Sequence, residues 1–359
     1  MRNGKKIKKS KFKYIFVFLI LLSLILGYIY YDKYLKVGKP VGELKNEELP
    51  ISQEAVKEVK KIQIYTGFDR PIAIMIDNEK GAWPHSGLQD AYMIYEMIIE
   101  GGETRMVAFF KNKTTAKIGP IRSARHYFVH YAMEHNAIFT HFGWSPKAEA
   151  TISSYNVNNI NGIYDTYFWR VGGGYHNAFS SIEKIKKMST SKKYIDSGSD
   201  TPIYKYSADE INLEQGIKIS GLKIKYSDLH NVSYSYDDTE KVFYRKMRGI
   251  VDKDRETGKQ YYAKNIIIMY VKNYNLPDKE TKGRQELENI GNGTGYYITN
   301  GKYINITWKK ESATSKTMWL DADNKEIILN DGITYVQIAP SDYKVDFDLI
   351  VNTESNIKN

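Results

Sequence analysis

The first thirty-one residues constrain this chain most strongly, because a basic segment is followed directly by an apolar one. Residues 1–13 contain seven Lys or Arg and no acidic residue, and residues 14–31 contain no charge. A helix of this length extends about 27 Å, close to the thickness of a bilayer's hydrocarbon core. Tyr14 and Tyr31 sit at the two ends of the run, where interfacial aromatics are common. The sequence therefore predicts one transmembrane helix over 14–31.

The charge bias also predicts the orientation of this helix. Its basic flank is expected to stay in the cytoplasm, which places the bulk of the chain outside the cell membrane. A cleaved signal peptide would have similar charged and apolar regions. The sequence has no A-x-A-like cleavage site and no Cys to accept a lipid, which favours an uncleaved anchor. Without the basic segment the formal charge falls from +10 to +3, too little to indicate a nucleic-acid partner.

The remaining chain changes character several times, which predicts an α+β fold. A mixed α/β N-terminal domain is expected to be followed by a mainly antiparallel β C-terminal domain, because later apolar residues recur with period two. The predicted segments are a polar, Lys/Glu-rich stalk (32–68), the N-terminal domain (69–190), a linker (191–202), the C-terminal domain (203–345) and a tail (346–359).

A Gly-Gly pair between two apolar runs predicts a β-hairpin in the N-terminal domain. A helix over Ala91–Glu100 is the alternative, because periodicity does not distinguish short apolar runs. If Gly101 and Gly102 form a two-residue loop, Glu100 lies opposite Glu103 and Ile98 lies opposite Arg105. Alternation along the strands then places four charged residues on one face: Glu96, Glu100, Glu103 and Arg105.

Two directly opposed carboxylates destabilise a hairpin unless a cation separates them or one is protonated. Arg105, Arg122 and Arg125 are the candidate cations. Arg122 and Arg125 lie near the start of a predicted helix (122–134), where they oppose the helix dipole, so we expect carboxylates or an anionic ligand to hold them. A solvent-exposed hairpin tip is the simpler interpretation.

Histidines are concentrated in the same region. Six of the seven precede residue 191: His85, His126, His130, His135, His141 and His176. His126 and His130 have metal-binding spacing on the predicted helix, but the segment HYFVH lacks the glutamate of H-E-x-x-H. No metal site and no other cofactor is predicted. GGGYHN (172–177) is interpreted as a flexible loop and DADNKE (321–326) as a turn between strands.

An ordered series of short motifs resembles the YerB-like family of bacterial cell-surface proteins. The series comprises PIAIMIDN, PHSGL, YE, KIGPIRSARHYFV and HFGWSPKA, followed by NGKYINITWKK and DGITYVQIAP, and the resemblance covers roughly residues 69–340. It implies an exported, membrane-attached protein with an N-terminal α/β domain and a mainly β second domain, of poorly defined activity. Family members are usually lipoproteins, whereas this chain has no Cys to acylate.

Three functional classes fit these features. The first is an envelope protein that binds a wall glycan, another anionic ligand or a partner protein through Glu96, Arg105, Arg122, Arg125, His126, His141, Trp144 and His176, with Phe168, Trp169 and Tyr175 as further stacking residues. The second is an enzyme that cleaves peptidoglycan glycan strands, with Glu103, alongside Glu100, as a general acid of raised pKa. The third is a structural or assembly factor. A groove-lining acid of raised pKa would favour the enzyme, and a fully ion-paired face would favour binding.

Overall fold

Three almost wholly apolar strands explain why the centre of the molecule is a sheet covered on both faces. They are β1 (Ile72–Asp77), β2 (Met93–Ile98) and β3 (Thr104–Phe110), and each of their residues is buried. Strands buried on both faces are near-continuous apolar runs in sequence. Strand β2 thus excludes the alternative helix over Ala91–Glu100. The computed structural model describes residues 9–35, 60–277 and 282–350, without the side chains of 9–17, 34 and 35.

Four α-helices lie within the described residues: α1 (Lys9–Tyr30), α2 (His126–Glu134), α3 (Pro146–Ser154) and α4 (Ile182–Ser191). The remaining strands, in chain order, are β4 (Ile138–His141), β5 (Asn159–Asn161), β6 (Trp169–Arg170), β7 (Ala178–Phe179), β8 (Lys205–Ser207), β9 (Ile217–Lys225), β10 (Asn231–Asp237), β11 (Val242–Met247), β12 (Ile250–Val251), β13 (Tyr262–Ala263), β14 (Asn265–Val271), β15 (Asn273–Asn275), β16 (Gln285–Leu287), β17 (Gly291–Thr299), β18 (Lys302–Lys310), β19 (Met318–Leu320), β20 (Ile328–Asn330), β21 (Thr334–Pro340) and β22 (Asp346–Leu349).

Local sequence signals explain where the helices begin. The sequence Ser145-Pro146 predicts a helix start, and the Ser145 side chain accepts a hydrogen bond from the Ala148 amide at 3.2 Å, which confirms this cap of α3. The pattern Ser180-x-x-Glu183 predicts a cap at Ser180, but Ser181 caps α4 and the Ser180 hydroxyl donates to the Tyr167 carbonyl instead.

Helix α2 begins four residues later than predicted. The Arg122 amide donates to the Met75 carbonyl at 3.1 Å, and the Ala124 amide donates to the Gly143 carbonyl at 2.9 Å. These bonds tie residues 122–124 to neighbouring segments in an extended conformation, so both Arg122 and Arg125 precede the helix.

One strand from the C-terminal part completes the central sheet. Strand β21 lies between β14 and β2 and runs parallel to both, with Met93 beside Thr334 and Met97 beside Ile338. The order along the sheet is β12-β11-β10-β9-β18-β17-β14-β21-β2-β3-β1-β4-β5. The fold is therefore mostly strands with few helices, and its two sequence halves share one sheet.

The N-terminal prediction is not supported by the structure. Among the described residues, no helix combines the length and the apolar character needed to cross a bilayer. The predicted stalk lies mainly in residues 36–59, outside the described residues. Its last part is packed, since the amides of Gln63 and Ile64 donate to the Asp331 carboxylate at 2.7 and 2.9 Å.

The two other predicted connecting segments also make contacts. In the predicted linker, the Asp196 carbonyl accepts a bond from the Arg70 amide, and the Gly198 amide donates to the Phe68 carbonyl at 2.6 Å. The predicted tail begins with β22, which pairs antiparallel with β9. Both segments thus belong to the folded body of the chain.

Candidate functional site

The hairpin formed by β2 and β3 has a register that differs from the prediction. Ile98 pairs with Thr104, and Met97 rather than Ile98 pairs with Arg105. A five-residue connection containing a short 3-10 turn (Glu100–Gly102) replaces the two-residue loop. Gly102 has φ +73°, and a Cβ there would lie 2.9 Å from the Ser227 hydroxyl oxygen, so the turn requires glycine.

A register change of one residue reverses which side chains share a face. Glu96 now lies opposite Met106, whereas Asp77 on β1 lies opposite Arg105. Glu96 and Arg105 therefore point to opposite faces of the sheet, and the predicted single charged face is wrong. The charged residues form two groups. We call them the arginine cluster (Asp77, Glu100, Arg105, Arg122, Arg125 and His176) and the buried ion network (Glu96, Glu103, His230, Arg245, Arg248 and Asp252).

Asp77 anchors the arginine cluster at the carboxyl end of β1. Its carboxylate is fully buried, with Oδ2 2.7 Å from His176 Nδ1 and 3.3 Å from Arg122 Nε. Arg122 also directs Nη1 at the Tyr175 carbonyl, 3.5 Å away, and its side chain is 26% exposed. A buried carboxylate thus orients a guanidinium and an imidazole that solvent can reach.

Arg105 lies behind these groups and is almost wholly buried. Its Nη1 donates to the Ser123 carbonyl at 2.7 Å, and its Nε has no hydrogen-bond partner among the described residues. Burial, with the nearby charge of Arg125, lowers the pKa of Arg105 to about 10. The guanidinium still carries its charge at neutral pH, so a cationic donor is held below the surface.

Glu100 and Arg125 form the third part of the cluster. Arg125 Nε lies 2.7 Å from Glu100 Oε1, and Arg284 Nε lies 4.0 Å from the same oxygen. Burial alone would raise the pKa of Glu100, but Arg125 lowers it below its usual value. Glu100 is therefore an ionised partner of arginine.

Apolar and aromatic side chains rim the cluster. Tyr175 is 78% exposed and Tyr164 is 72% exposed, and a Cβ on Gly143 would lie 3.1 Å from Ile163 Cδ1 and 3.2 Å from the Ser123 hydroxyl oxygen. The half-buried Trp144 ring has its centroid 6.1 Å from that of Tyr164. Of these aromatic residues, Tyr175 contacts the cluster through its carbonyl, and guanidinium donors beside an exposed ring suit a ligand with both anionic and ring-shaped parts.

Two predicted site residues have other roles. His141 is buried, with Nδ1 donating to the Gly143 carbonyl at 2.9 Å, and burial lowers its pKa to about 4. It supports the backbone behind Trp144. His126 places Nε2 2.9 Å from Glu286 Oε1 and joins α2 to β16. Neither imidazole contacts the arginine cluster.

The buried ion network occupies the other face of the sheet. Glu96 accepts a bond from Arg245 Nη2 at 2.8 Å, and His230 Nε2 lies 3.2 Å from its second oxygen. Burial opposes ionisation of Glu96, but Arg245 followed by His230 and Thr104 brings its pKa down to about 2. Arg245 also pairs with Asp252. These buried side chains connect β2 of the N-terminal half with β11 of the C-terminal half.

Glu103 belongs to this network and not to the arginine cluster. Its Oε2 pairs with Arg248 and lies 3.4 Å from His230 Nδ1. Burial would raise the pKa of Glu103, but the bonds from His230 and Arg248 lower it. The two glutamates predicted as a catalytic pair therefore have different partners in different groups.

Sequence reasoning missed the roles of Asp77 and Arg245, although each left a signal. Asp77 ends an otherwise apolar strand, which marks a charged side chain at a strand's carboxyl end. Arg245 shares the inward face of β11 with Phe243 and Met247, all three being buried. An arginine at an inward position requires buried carboxylates.

A separate concave surface lies between the two sequence halves. This cavity of about 1010 Å³ is lined by residues 87–117 and 240–262 and contains the rings of Tyr244 and Tyr262. Its acidic residues have partners, because Glu256 pairs with Lys117 and Asp254 accepts bonds from three nearby amides, including that of Gly87. None of its lining residues belongs to the arginine cluster.

Comparison with known proteins shows that both halves of the chain have relatives. Residues 61–195 match the family described as "Protein of unknown function (DUF3048) N-terminal domain", and residues 222–336 match its C-terminal domain. The Bacillus subtilis protein named "Putative lipoprotein YerB" is 30% identical over 76% of this chain and 81% of its own length. The crystal structure of Bacillus subtilis YerB superimposes with a TM-score of 0.70 at 28% identity, over 79% of this chain and 95% of that one.

Proposed function

The chain belongs to the YerB-like DUF3048 family, and on that premise we propose that it is a membrane-attached, extracytoplasmic protein that binds an anionic cell-wall glycan through its arginine cluster. The name of its Bacillus subtilis relative supports envelope attachment. The sequence contains no Cys to carry a lipid, so we propose the apolar segment 14–31 as the tether. Intact-mass measurement of the membrane fraction tests this, because a species beginning near Asp32 would contradict it.

The charge balance of the arginine cluster is the observation that carries the proposal. Its three guanidinium groups outnumber its two carboxylates, Asp77 and Glu100. Arg105 Nε lies below the surface without a hydrogen-bond partner in the part of the chain that the structure describes, while Arg122 is partly open to solvent. A carboxylate or phosphate on the ligand would supply the missing negative charge and accept these donors.

The rim of the cluster supports a sugar as the rest of the ligand. Tyr164 and Tyr175 are the two most exposed tyrosines of the described residues. Their faces are suited to stack on pyranose rings, while Trp144 supports Tyr164 from behind. Glycan strands that carry carboxylates, or phosphate polymers attached to them, have this combination.

The charges do not favour the glycan-cleaving alternative. A glycosidase of the usual type needs a carboxylic acid that stays protonated near neutral pH. The pKa values of Glu100 and Glu103 are lowered and that of Glu96 is about 2. These three glutamates are therefore ionised and lack the proton that a general acid donates.

Co-sedimentation with purified wall sacculi tests the proposed binding. The protein from Asp32 onward should pellet with sacculi at low salt and remain soluble at high salt, because ionic contacts at the surface are screened. Sacculi stripped of phosphate polymers separate the two anion sources, since loss of pelleting identifies phosphate and retention identifies glycan or peptide carboxylates. The proposal is contradicted if the protein pellets with neither preparation at low salt.

A further inference from the structure

Three metal-ligand side chains converge beyond the carboxyl end of β1. Asp77 ends the strand, Glu79 follows it, and His176 comes from the glycine-rich loop (172–177). One candidate ligand atom from each lies within 4.8 Å of the others. The side chains of His176 and Glu79 are 27% and 33% exposed, so an ion from solvent can reach them.

The hydrogen bond to Asp77 fixes the tautomer of His176. A carboxylate can only accept, so His176 Nδ1, 2.7 Å from Asp77 Oδ2, carries the proton and donates it. Gly81 allows the ring to occupy this position, because a Cβ there would lie 2.8 Å from His176 Cδ2. In the neutral ring, the lone pair of Nε2 then faces away from Asp77.

That lone pair is directed at a second carboxylate. His176 Nε2 lies 3.7 Å from Glu79 Oε2, which is too long for a hydrogen bond. A lone pair facing a carboxylate oxygen at this distance is unfavourable unless Nε2 binds a proton or a metal ion. The geometry thus leaves room for a positive ion at one defined point.

We propose that His176 Nε2 and Glu79 bind a divalent transition-metal ion, with Asp77 as the residue that orients the imidazole. Zinc lies about 2.0–2.2 Å from nitrogen and oxygen ligands, so two ligand atoms of a tetrahedral site are about 3.3–3.5 Å apart. The observed 3.7 Å requires only a small closure. A histidine whose other nitrogen donates to a carboxylate is the usual arrangement around protein-bound zinc.

The mixed nitrogen and oxygen ligands favour Zn²⁺ or Mn²⁺ over Ca²⁺ or Mg²⁺, which prefer oxygen alone. Only one imidazole and one carboxylate bind directly, because Asp77 Oδ2 is shared by Arg122 and His176. Water or an anion fills the remaining positions. Sequence spacing did not predict this site, since His176 lies far from Glu79 along the chain.

Isothermal titration of the protein with zinc chloride or manganese chloride tests this site without any glycan. One ion should bind per chain, and His176→Gln and Glu79→Gln should each weaken binding at least about tenfold. Glu311→Gln is the matched control, because Glu311 is an exposed glutamate paired with a lysine. Its affinity should equal that of the native protein.

Cobalt absorption provides a second readout that does not depend on affinity alone. Bound Co²⁺ should give a visible ligand-field band that His176→Gln removes, and thermal melts establish that each variant is folded. The proposal would be overturned if neither zinc nor manganese binds the native protein. It would also be overturned if His176→Gln and Glu79→Gln both bind the metal with the native affinity. Because the metal is the only probe, these results are independent of sacculus binding.

Discussion

Glu96 and Arg105 lie on neighbouring strands of one hairpin but point to opposite faces of the sheet. Glu96 enters the buried ion network, where Arg245 and His230 hold it, and Arg105 enters the arginine cluster beside Asp77. The hairpin therefore separates a structural set of charges from a set that we assign to ligand binding.

Arg245→Met should destabilise the fold strongly. The methionine fills similar space but leaves Glu96 and Asp252 buried without their shared cation, which costs about 3–5 kcal/mol in the free energy of unfolding. Lys246→Met, on the same strand, is the control and should change stability by less than about 0.5 kcal/mol. Urea unfolding measures both. Equal stabilities of the two variants would show that the network contributes little.

Acid should destabilise the protein in two stages. Burial lowers the pKa of His130 and His141 to about 4 and that of His135 to about 3. As pH falls below about 6.5, these histidines therefore bind protons in the unfolded chain while they remain neutral in the fold. Each such proton costs about 1.4 kcal/mol of stability per pH unit. His230, with a raised pKa, acts in the opposite direction, because its contribution is present below that pH and lost as pH rises.

The second stage belongs to Glu96, whose pKa is about 2 in the fold. Its contribution is complete above the unfolded value, about 4.5, and is lost as pH falls toward 2, an effect of roughly 3 kcal/mol. Urea midpoints measured from pH 7 to 3 should fall throughout this range. A constant midpoint between pH 7 and 5 would contradict the histidine stage.

Glu103→Gln should lower stability without affecting sacculus binding. The substitution removes the charge that pairs with Arg248 and His230, which costs about 1–3 kcal/mol, and the network lies across the sheet from the arginine cluster. Thermal melts and co-sedimentation measure the two effects. Lost sacculus binding with unchanged stability would show that Glu103 belongs to the ligand-binding site.

Much of the first half was predictable from sequence. The apolar run 137–142 predicts a strand, and β4 (Ile138–His141) confirms it with a shift of one residue at each end. The cap at Ser145 also follows from the local sequence. The hairpin register could not be predicted from the sequence. The segment Glu-Gly-Gly-Glu is compatible with a two-residue loop and with a five-residue connection, and these place different residues on the same face of the sheet.

Pairing across long sequence distances was beyond local reasoning. Strand β21 joins β2, and Arg245 joins Glu96, because the two halves form one sheet. Nothing in a single sequence states which distant strand completes a sheet. For the same reason the sequence did not predict that Asp77 and His176 meet, since a long segment separates them.

Tyr175→Ala should weaken sacculus binding while leaving stability unchanged. The ring is 78% exposed, so its removal costs little in the fold, whereas a lost stacking contact costs about 1 kcal/mol, or roughly fivefold in Kd. Tyr274→Ala, an exposed tyrosine on β15, is the control. Equal binding of the two variants would remove the aromatic rim from the site.

The most direct test of ligand binding by the arginine cluster is co-sedimentation of Arg122→Gln with sacculi at low salt. Lys325→Gln is the control for the lost charge, because that lysine is 76% exposed and lies in a turn. Thermal melts of both variants establish that they are folded. We predict that Arg122→Gln reduces affinity at least about tenfold, since a charge-assisted contact is lost, and that Lys325→Gln pellets like the native protein. Native-like pelleting of folded Arg122→Gln would contradict the account.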